Sequence, residues 1–118
     1  TLDDLDHEVR AAAAQHIAEN GLLEDPWEAM NQCGTETAKF LDILAGRGIR
    51  ASPIAGVRDF DHWPDAEHYA VLVRGLVVDW TYRQFVDDTP VPYITREAAW
   101  RAQWRDVHVG WLFDNHRA

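Results

Sequence analysis

The 118-residue chain has one cysteine, Cys33, and one lysine, Lys39. A lone cysteine forms no internal disulfide and supplies no multi-cysteine zinc site, so the fold is neither stapled nor clamped by thiols. Basic residues are scarce, 11 against 20 acids for a net charge of -9. That argues against a nucleic-acid or anionic-membrane partner, since both depend on clustered Lys and Arg. No apolar run exceeds a few residues, and neither a signal-type stretch nor a methionine opens the chain at Thr1. The expectation is a piece of something longer, of cytoplasmic or secreted-effector type, with the compartment unreadable. What is present is ordinary for a globular protein: 47% hydrophobic and 26% charged residues, with six tryptophans. At this length a single domain over 1–118 is expected, burying roughly two-thirds of the surface the unfolded chain exposes.

The charge is concentrated early. Eight acids stand against Arg10 alone up to Glu28, which leaves the rest of the chain nearly neutral. In this acidic part Leu2, Leu5, Val9, Ala12, Ala13, His16 and Ile17 recur at helical spacing, with Thr1 able to cap and Asn20-Gly21 to stop. An acidic N-terminal helix is therefore expected within 1–24, either a solvated face or a surface for a basic protein partner. Asp25-Pro26 starts a short second helix, since proline suits the first helical position behind a capping aspartate. Cys33 opens the next helix. Its apolar face carries Thr37, Phe40, Leu41 and Leu44, and Gly46 and Gly48 end it.

Beyond Gly48, residues 49–57 read as a strand interrupted by Pro53, hence an edge or bulged strand. Residues 59–67 read as a loop. Residues 68–73 and 76–79 then form a hairpin about an Arg74-Gly75 turn. If those two residues make the turn, Val73 faces Leu76, and Tyr69, Val71, Val73, Leu76, Val78 and Trp80 share a core-facing side. The other face then carries His68 and Asp79 as diagonal neighbours, about 7 Å apart at Cβ and within reach of an imidazole-carboxylate bond. The Pro90 and Pro92 region reads as loop, and Thr95 as the cap of a last helix through Trp100 and Trp104, in a segment 95–118 of helix and tail. The architecture expected is α+β: helices first, with the cysteine-bearing helix packed on a small antiparallel sheet, and residues 25–94 as the core.

A helix N-terminus and a neighbouring imidazolium both favour a thiolate, so Cys33, His68 and Asp79 suggest a nucleophile, its base and the orienter of that base. Helix cysteines are commonly packing and strand-start histidines commonly surface, so it is the joint placement that points to chemistry. The order of these residues, with the run H-Y-A-V-L-V-x-G-x-V-V-D-W-T-x-x-Q-F, resembles the papain-like cysteine peptidase superfamily in its transglutaminase-like branch, over roughly residues 27–94. Asp79 to Phe85 is similar to the D-x-T-x-x-Q-F ending of small bacterial and phage papain-fold proteins. The resemblance implies Cys33 as nucleophile, His68 as base and acid, and Asp79 as orienter, with no cofactor or metal. It implies a protein or peptide substrate and a reaction at a carboxamide: peptide hydrolysis or glutamine deamidation of effector or toxin type. Glutamine cross-linking, and a non-catalytic binding or assembly module on the same fold, are the alternatives.

The sequence departs from that pattern twice. Gly34, not an aromatic residue, follows the cysteine, and Trp27 occupies the position six before it where papain-type peptidases place an oxyanion-binding glutamine. The backbone N–H of Cys33 with the side chain of Gln32 or Asn31 is then the expected oxyanion set, and Gln32 is equally read as a helix cap. Trp63 reads either as a cleft wall or as a hydrophobic lid, and Gln84 is assigned to the cleft with it. Trp27 also reads as cleft, although at helical spacings Trp27, Trp100, Trp104 and Trp111 are more simply core. His62 with Asp61 or Asp65 is a weak metal signal in an acidic loop. His7, His16, His108 and His116 read as surface or as satisfied helix histidines.

Overall fold

The structure, a computed structural model, describes residues 1–112; His116 lies outside them. It is α+β, with four helices beside a five-stranded sheet among the described residues. After a single 3-10 turn at Leu2–Asp4, helix α1 spans His7–Asn20, α2 Pro26–Ala29 and α3 Cys33–Gly46. The sheet follows: β1 Ser52–Phe60, β2 Trp63–Val73, β3 Leu76–Asp79 and β4 Tyr93–Arg96. Helix α4 (Glu97–Gln103) and strand β5 (Arg105–Val109) complete it. Strand order is β4-β3-β2-β1-β5, antiparallel throughout.

Local chemistry sets the helix ends. Asp6, not Thr1, caps α1, its carboxylate accepting from Val9 N at 3.0 Å, so the expected first helix is divided into a 3-10 turn and a later helix. The Asp6 and Glu8 carboxylates in turn meet the Arg74 guanidinium at 3.0 Å, tying the start of α1 to the hairpin turn. Asp25 caps α2 through Trp27 N at 2.8 Å, with Pro26 behind it. Gly21 and Gly48, at φ +76° and +74°, take the left-handed turns that follow α1 and α3.

Between β2 and β3, Arg74 and Gly75 both have positive φ, as a two-residue type I′ turn requires, and Val73 pairs with Leu76. Val71, Val73, Val78 and Trp80 accordingly face one core, where they pack against Val9, Ala12 and Ala13 of α1 and Phe40 and Leu44 of α3. The opposite face builds a second core, Ile54, Ala66, Ala70, Val77, Tyr82, Phe85, Trp100 and Trp104. The sheet is thus covered on both sides.

Three sequence expectations are corrected. Pro53 lies in β1, but β1 is internal, between β2 and β5. Its ladder with β5 begins only at Ile54, so the missing proline N–H falls at the end of that ladder, and register shifts on either side of Val57 keep the bulged character. Residues 59–67 are not a loop: β1 and β2 run on to a tight turn at Asp61-His62, with Asp65 held in a positive-φ kink by its N–H to Asp59 Oδ1 at 2.7 Å. Thr95 does not cap a helix; it pairs with Val77 inside β4, α4 follows Arg96, and the C-terminal segment contributes β5 as well as a helix.

His16 is fully buried between the helices and satisfied at both nitrogens. Nε2–H donates to Glu36 Oε1 at 3.3 Å, Asn20 Nδ2 donates to Nδ1 at 3.3 Å, and the ring lies against Trp80 with centroids 4.2 Å apart. Burial alone would raise the Glu36 carboxyl, but the bonds from His16 and from Lys39, 3.2 Å away, hold it below its usual range. His16→Ala should therefore lower stability by about 2–5 kcal/mol, combining a cavity with a half-emptied polar pair. Urea denaturation checks this, and Glu36→Gln, which keeps an acceptor for the ring, should cost less.

Candidate active site

The site is built where β3 ends and β2 runs on. His68, completely buried, donates Nε2–H to Asp79 Oδ2 at 2.5 Å, and Asp79 is 1% exposed. Asp79 Oδ1 accepts from Thr81 N at 3.0 Å, so both carboxylate oxygens are engaged. The chain then makes a 3-10 turn over Tyr82–Gln84, which brings Gln84 back over the ring. Gln84 Nε2 lies 3.4 Å from His68 Nδ1 and 3.2 Å from Thr81 Oγ1, while its Oε1 accepts from Asn31 N at 3.4 Å. Phe85 meets the imidazole edge-on at 4.9 Å. Along Asp79-Trp80-Thr81-Tyr82-Arg83-Gln84-Phe85, four residues thus build the surroundings of one imidazole, and Trp80 anchors the turn in the first core.

Cys33 is the first residue of α3 and half-buried, and its thiol is within electrostatic reach of His68. The N–H groups of a first helical turn have no intrahelical partner, and they place positive potential at that end. Burial alone would push the thiol up; the bond and charge of His68, with the backbone N–H of Tyr69, outweigh it and leave Cys33 below its ordinary value. For His68 the balance is similar. Burial opposes the imidazolium, Asp79 and then Cys33 favour it, and the ring is raised from its ordinary 6.5 to about 10. A group raised on folding contributes stability that is whole below about pH 6.5 and fades as pH climbs through about 10. The arrangement thus favours the charged form of each group.

Trp104, read from the sequence only as core, lies nearly parallel to His68, centroids 5.1 Å apart at 21°, and Trp100 stacks behind it at 5.3 Å. The approach needs Gly56, which faces His68 across the β1–β2 ladder. A Cβ there would stand 2.7 Å from Trp104 Cβ and 3.2 Å from Trp100 Cη2. The tryptophans screen the His68–Asp79 bond from water, which strengthens it.

The other sequence candidates separate. Gln84 is buried, its amide donating to Thr81 Oγ1 and accepting from Asn31 N beside the imidazole, so it is not a cleft wall. Trp27 is 79% exposed, which removes its core reading and leaves an unpacked indole six residues before Cys33. Trp63 packs on Phe85 at 5.3 Å as a half-buried member of the second core, closer to a lid than to an open wall. Gln32 occupies the N-cap position of α3 without a side-chain capping bond. Asn31 has φ +61°, and only its backbone is engaged, by Gln84. His7 and His108 are exposed, and Trp111 is half-buried. Among the described residues no group of three or more His, Cys, Asp or Glu could hold a metal ion, and no helix is long and apolar enough to cross a membrane. Neither Gln84 nor Trp104 was readable as a neighbour of His68: only the five-residue spacing from Asp79 hinted at the first, and nothing local hinted at the second.

Fold and site together define an α+β domain with a helix-start cysteine coupled to a buried histidine-aspartate pair. No family model, no curated protein and no solved structure matches the chain.

Gly56→Ala should displace Trp104 and destabilise the fold by about 1–3 kcal/mol. Urea denaturation reads the loss, and proton NMR should show the His68 ring signals leaving the upfield position that a stacked indole imposes.

Proposed function

We propose that the chain is a cysteine-dependent hydrolase of carboxamides, a peptidase or a protein-glutamine deamidase of effector or toxin type, on a papain-like core of the transglutaminase-like branch. The observation that carries this reading is the linear relay of a helix-start thiol, a buried imidazole and a buried carboxylate, in the chain order Cys33, His68, Asp79. The same three groups would serve a cross-linking enzyme if an amine replaced water. On this reading the acidic N-terminal helix is less attractive as a docking surface for a basic partner, because Asp6 and Glu8 are already paired with Arg74.

The chemistry follows from the charges. The Cys33 thiolate adds to the carbonyl carbon, and the oxyanion is met by the Cys33 backbone N–H at the helix start. Among the described residues the side chains of Asn31 and Gln32 have no hydrogen-bond partner, so either can supply the second donor. The C–N bond breaks as His68 gives its Nδ1 proton to the departing amine or ammonia, leaving a thioester on Cys33. Water then attacks while His68 takes its proton; the acid departs and the thiolate-imidazolium pair is restored. Throughout, Asp79 keeps the imidazole in one orientation, as an orienting carboxylate does. The exposed Trp27 indole offers an apolar surface to an arriving polypeptide.

The test is mass spectrometry of a proteome incubated with wild-type protein and with Cys33→Ala. Wild-type protein should generate new peptide termini, or glutamines converted to glutamate, that are absent with the variant. Identical spectra, or amine-linked glutamines as the sole product, would reject the hydrolase. His68→Ala is a poor control, since removing a fully buried ring leaves the Asp79 charge unpaired and should cost about 3–5 kcal/mol.

A further inference from the structure

Among the described residues Arg58 is a cation without an anion. It is half-buried, and among the described residues it is the one half-buried basic side chain with no carboxylate in ion-pair distance; Arg83, the other half-buried arginine, reaches Glu24 at 3.9 Å. Its Nη1 donates to Tyr82 Oη at 3.0 Å and to Gln103 Oε1 at 3.3 Å. The guanidinium carbon lies 4.7 Å from the Phe60 ring centroid and 5.7 Å from that of Trp104. Two aromatic faces and two neutral acceptors hold the group in place, while its Nη2 and Nε hydrogens have no partner among the described residues. Keeping an uncompensated charge in a partly desolvated site costs free energy, and aromatic contacts return about 0.5–2 kcal/mol of it. Among the described residues the indole N–H groups of Trp104 and Trp100, in the same aromatic cluster, are buried without an acceptor. Donors without acceptors thus gather where β1, the 3-10 turn and α4 meet, the chemistry that an anion satisfies.

The location gives the excess a use. Gly56 pairs with His68 and Arg58 with Ala66, so Arg58 and His68 project from the same sheet face as diagonal neighbours, about 7–8 Å apart at Cα. Trp104 touches both. A planar guanidinium whose Nε–Nη2 edge is free suits a carboxylate, which accepts two parallel N–H bonds.

We propose that Arg58 anchors a carboxylate subsite beside the catalytic histidine, so that the segment acted on carries an acidic group next to the target carboxamide. This rests on the hydrolase reading for its meaning, but not for its measurement. Two sources share the chemistry, an aspartate or glutamate side chain and a C-terminal carboxylate. The probes are therefore N-acetyl-Gln-Glu-amide, N-acetyl-Gln-Gln with a free C-terminus, and the neutral N-acetyl-Gln-Gln-amide, titrated into Cys33→Ala protein. The readout is the NMR signals of the Arg58 Nε–H and Trp104 Nε1–H. At least one charged probe should bind about tenfold more tightly than the neutral one, the worth of one charge-assisted bond, and should move both signals. The charged probe that does so identifies the source. Arg58→Gln should erase the difference, and Arg58→Lys, which keeps the charge and has the better prospect of folding, should retain part of it. Equal binding of charged and neutral probes, or a preference that survives in Arg58→Gln, would overturn the subsite. A tenfold preference in a protein whose wild type hydrolyses none of the probes or proteome targets would uphold the carboxylate site and reject the hydrolase.

Discussion

A histidine and an aspartate buried together, with no water to solvate either charge, constrain the rest of this molecule. Ionised carboxylate and imidazolium are tolerated in an interior only when paired and hydrogen-bonded, and removing one partner strands the other. The residues after Asp79 answer that requirement: Thr81 N–H takes the second carboxylate oxygen, Gln84 folds back onto the ring, and Phe85 and Trp104 exclude water. The requirement also reaches distant parts of the sequence. Gly56 on β1 has no side chain because Trp104 needs the space, and α4 exists at a place where it can deliver Trp104 and Trp100 to that face.

The two cores divide the labour. On one face, α1 and α3 close over Val71, Val78 and Trp80, and the His16–Glu36 bond fixes the helices against each other. This core sets where α3 begins, and therefore where the Cys33 thiol stands. On the other face, the aromatic cluster holds the imidazole and its carboxylate. The thiol belongs to one layer and its base to the other, and they meet past the end of β3, where β2 is no longer covered by a strand. The packing of the layers thus fixes the thiol against the imidazole: a shift of α3 on the sheet would move Cys33 away from His68. The charge of -9 is largely peripheral to that meeting point, since the Asp6 and Glu8 carboxylates serve the hairpin turn.

The hairpin was legible in the sequence because two constraints agreed. An Arg-Gly turn of positive φ permits only one register, and a continuous apolar face rewards the same one, so the His68 and Asp79 pairing followed from local information. Helix α3 was legible for the same reason, through its apolar spacing and terminal glycines. The rest depended on tertiary context. Strand β5 is mostly exposed and reads Arg-Asp-Val-His-Val, with no periodic burial to announce it. Residues 63–67 carry Pro64 and Asp65, turn-formers that a bulged strand end accommodates. Gln84 and Trp104 reach His68 through a 3-10 turn and a sheet crossing that composition does not encode, and the setting of Arg58, half-buried on aromatic faces and neutral acceptors, is visible only in the fold.

The central claim is that His68 and the start of α3 draw the Cys33 thiol toward its thiolate form. The ultraviolet absorbance of the thiolate, followed through a pH titration as wild type minus Cys33→Ser, tests it directly. The account predicts a thiolate signal that rises at lower pH than that of an ordinary cysteine. A signal that appears only in the alkaline range of an ordinary cysteine, near about 8.5, would contradict it.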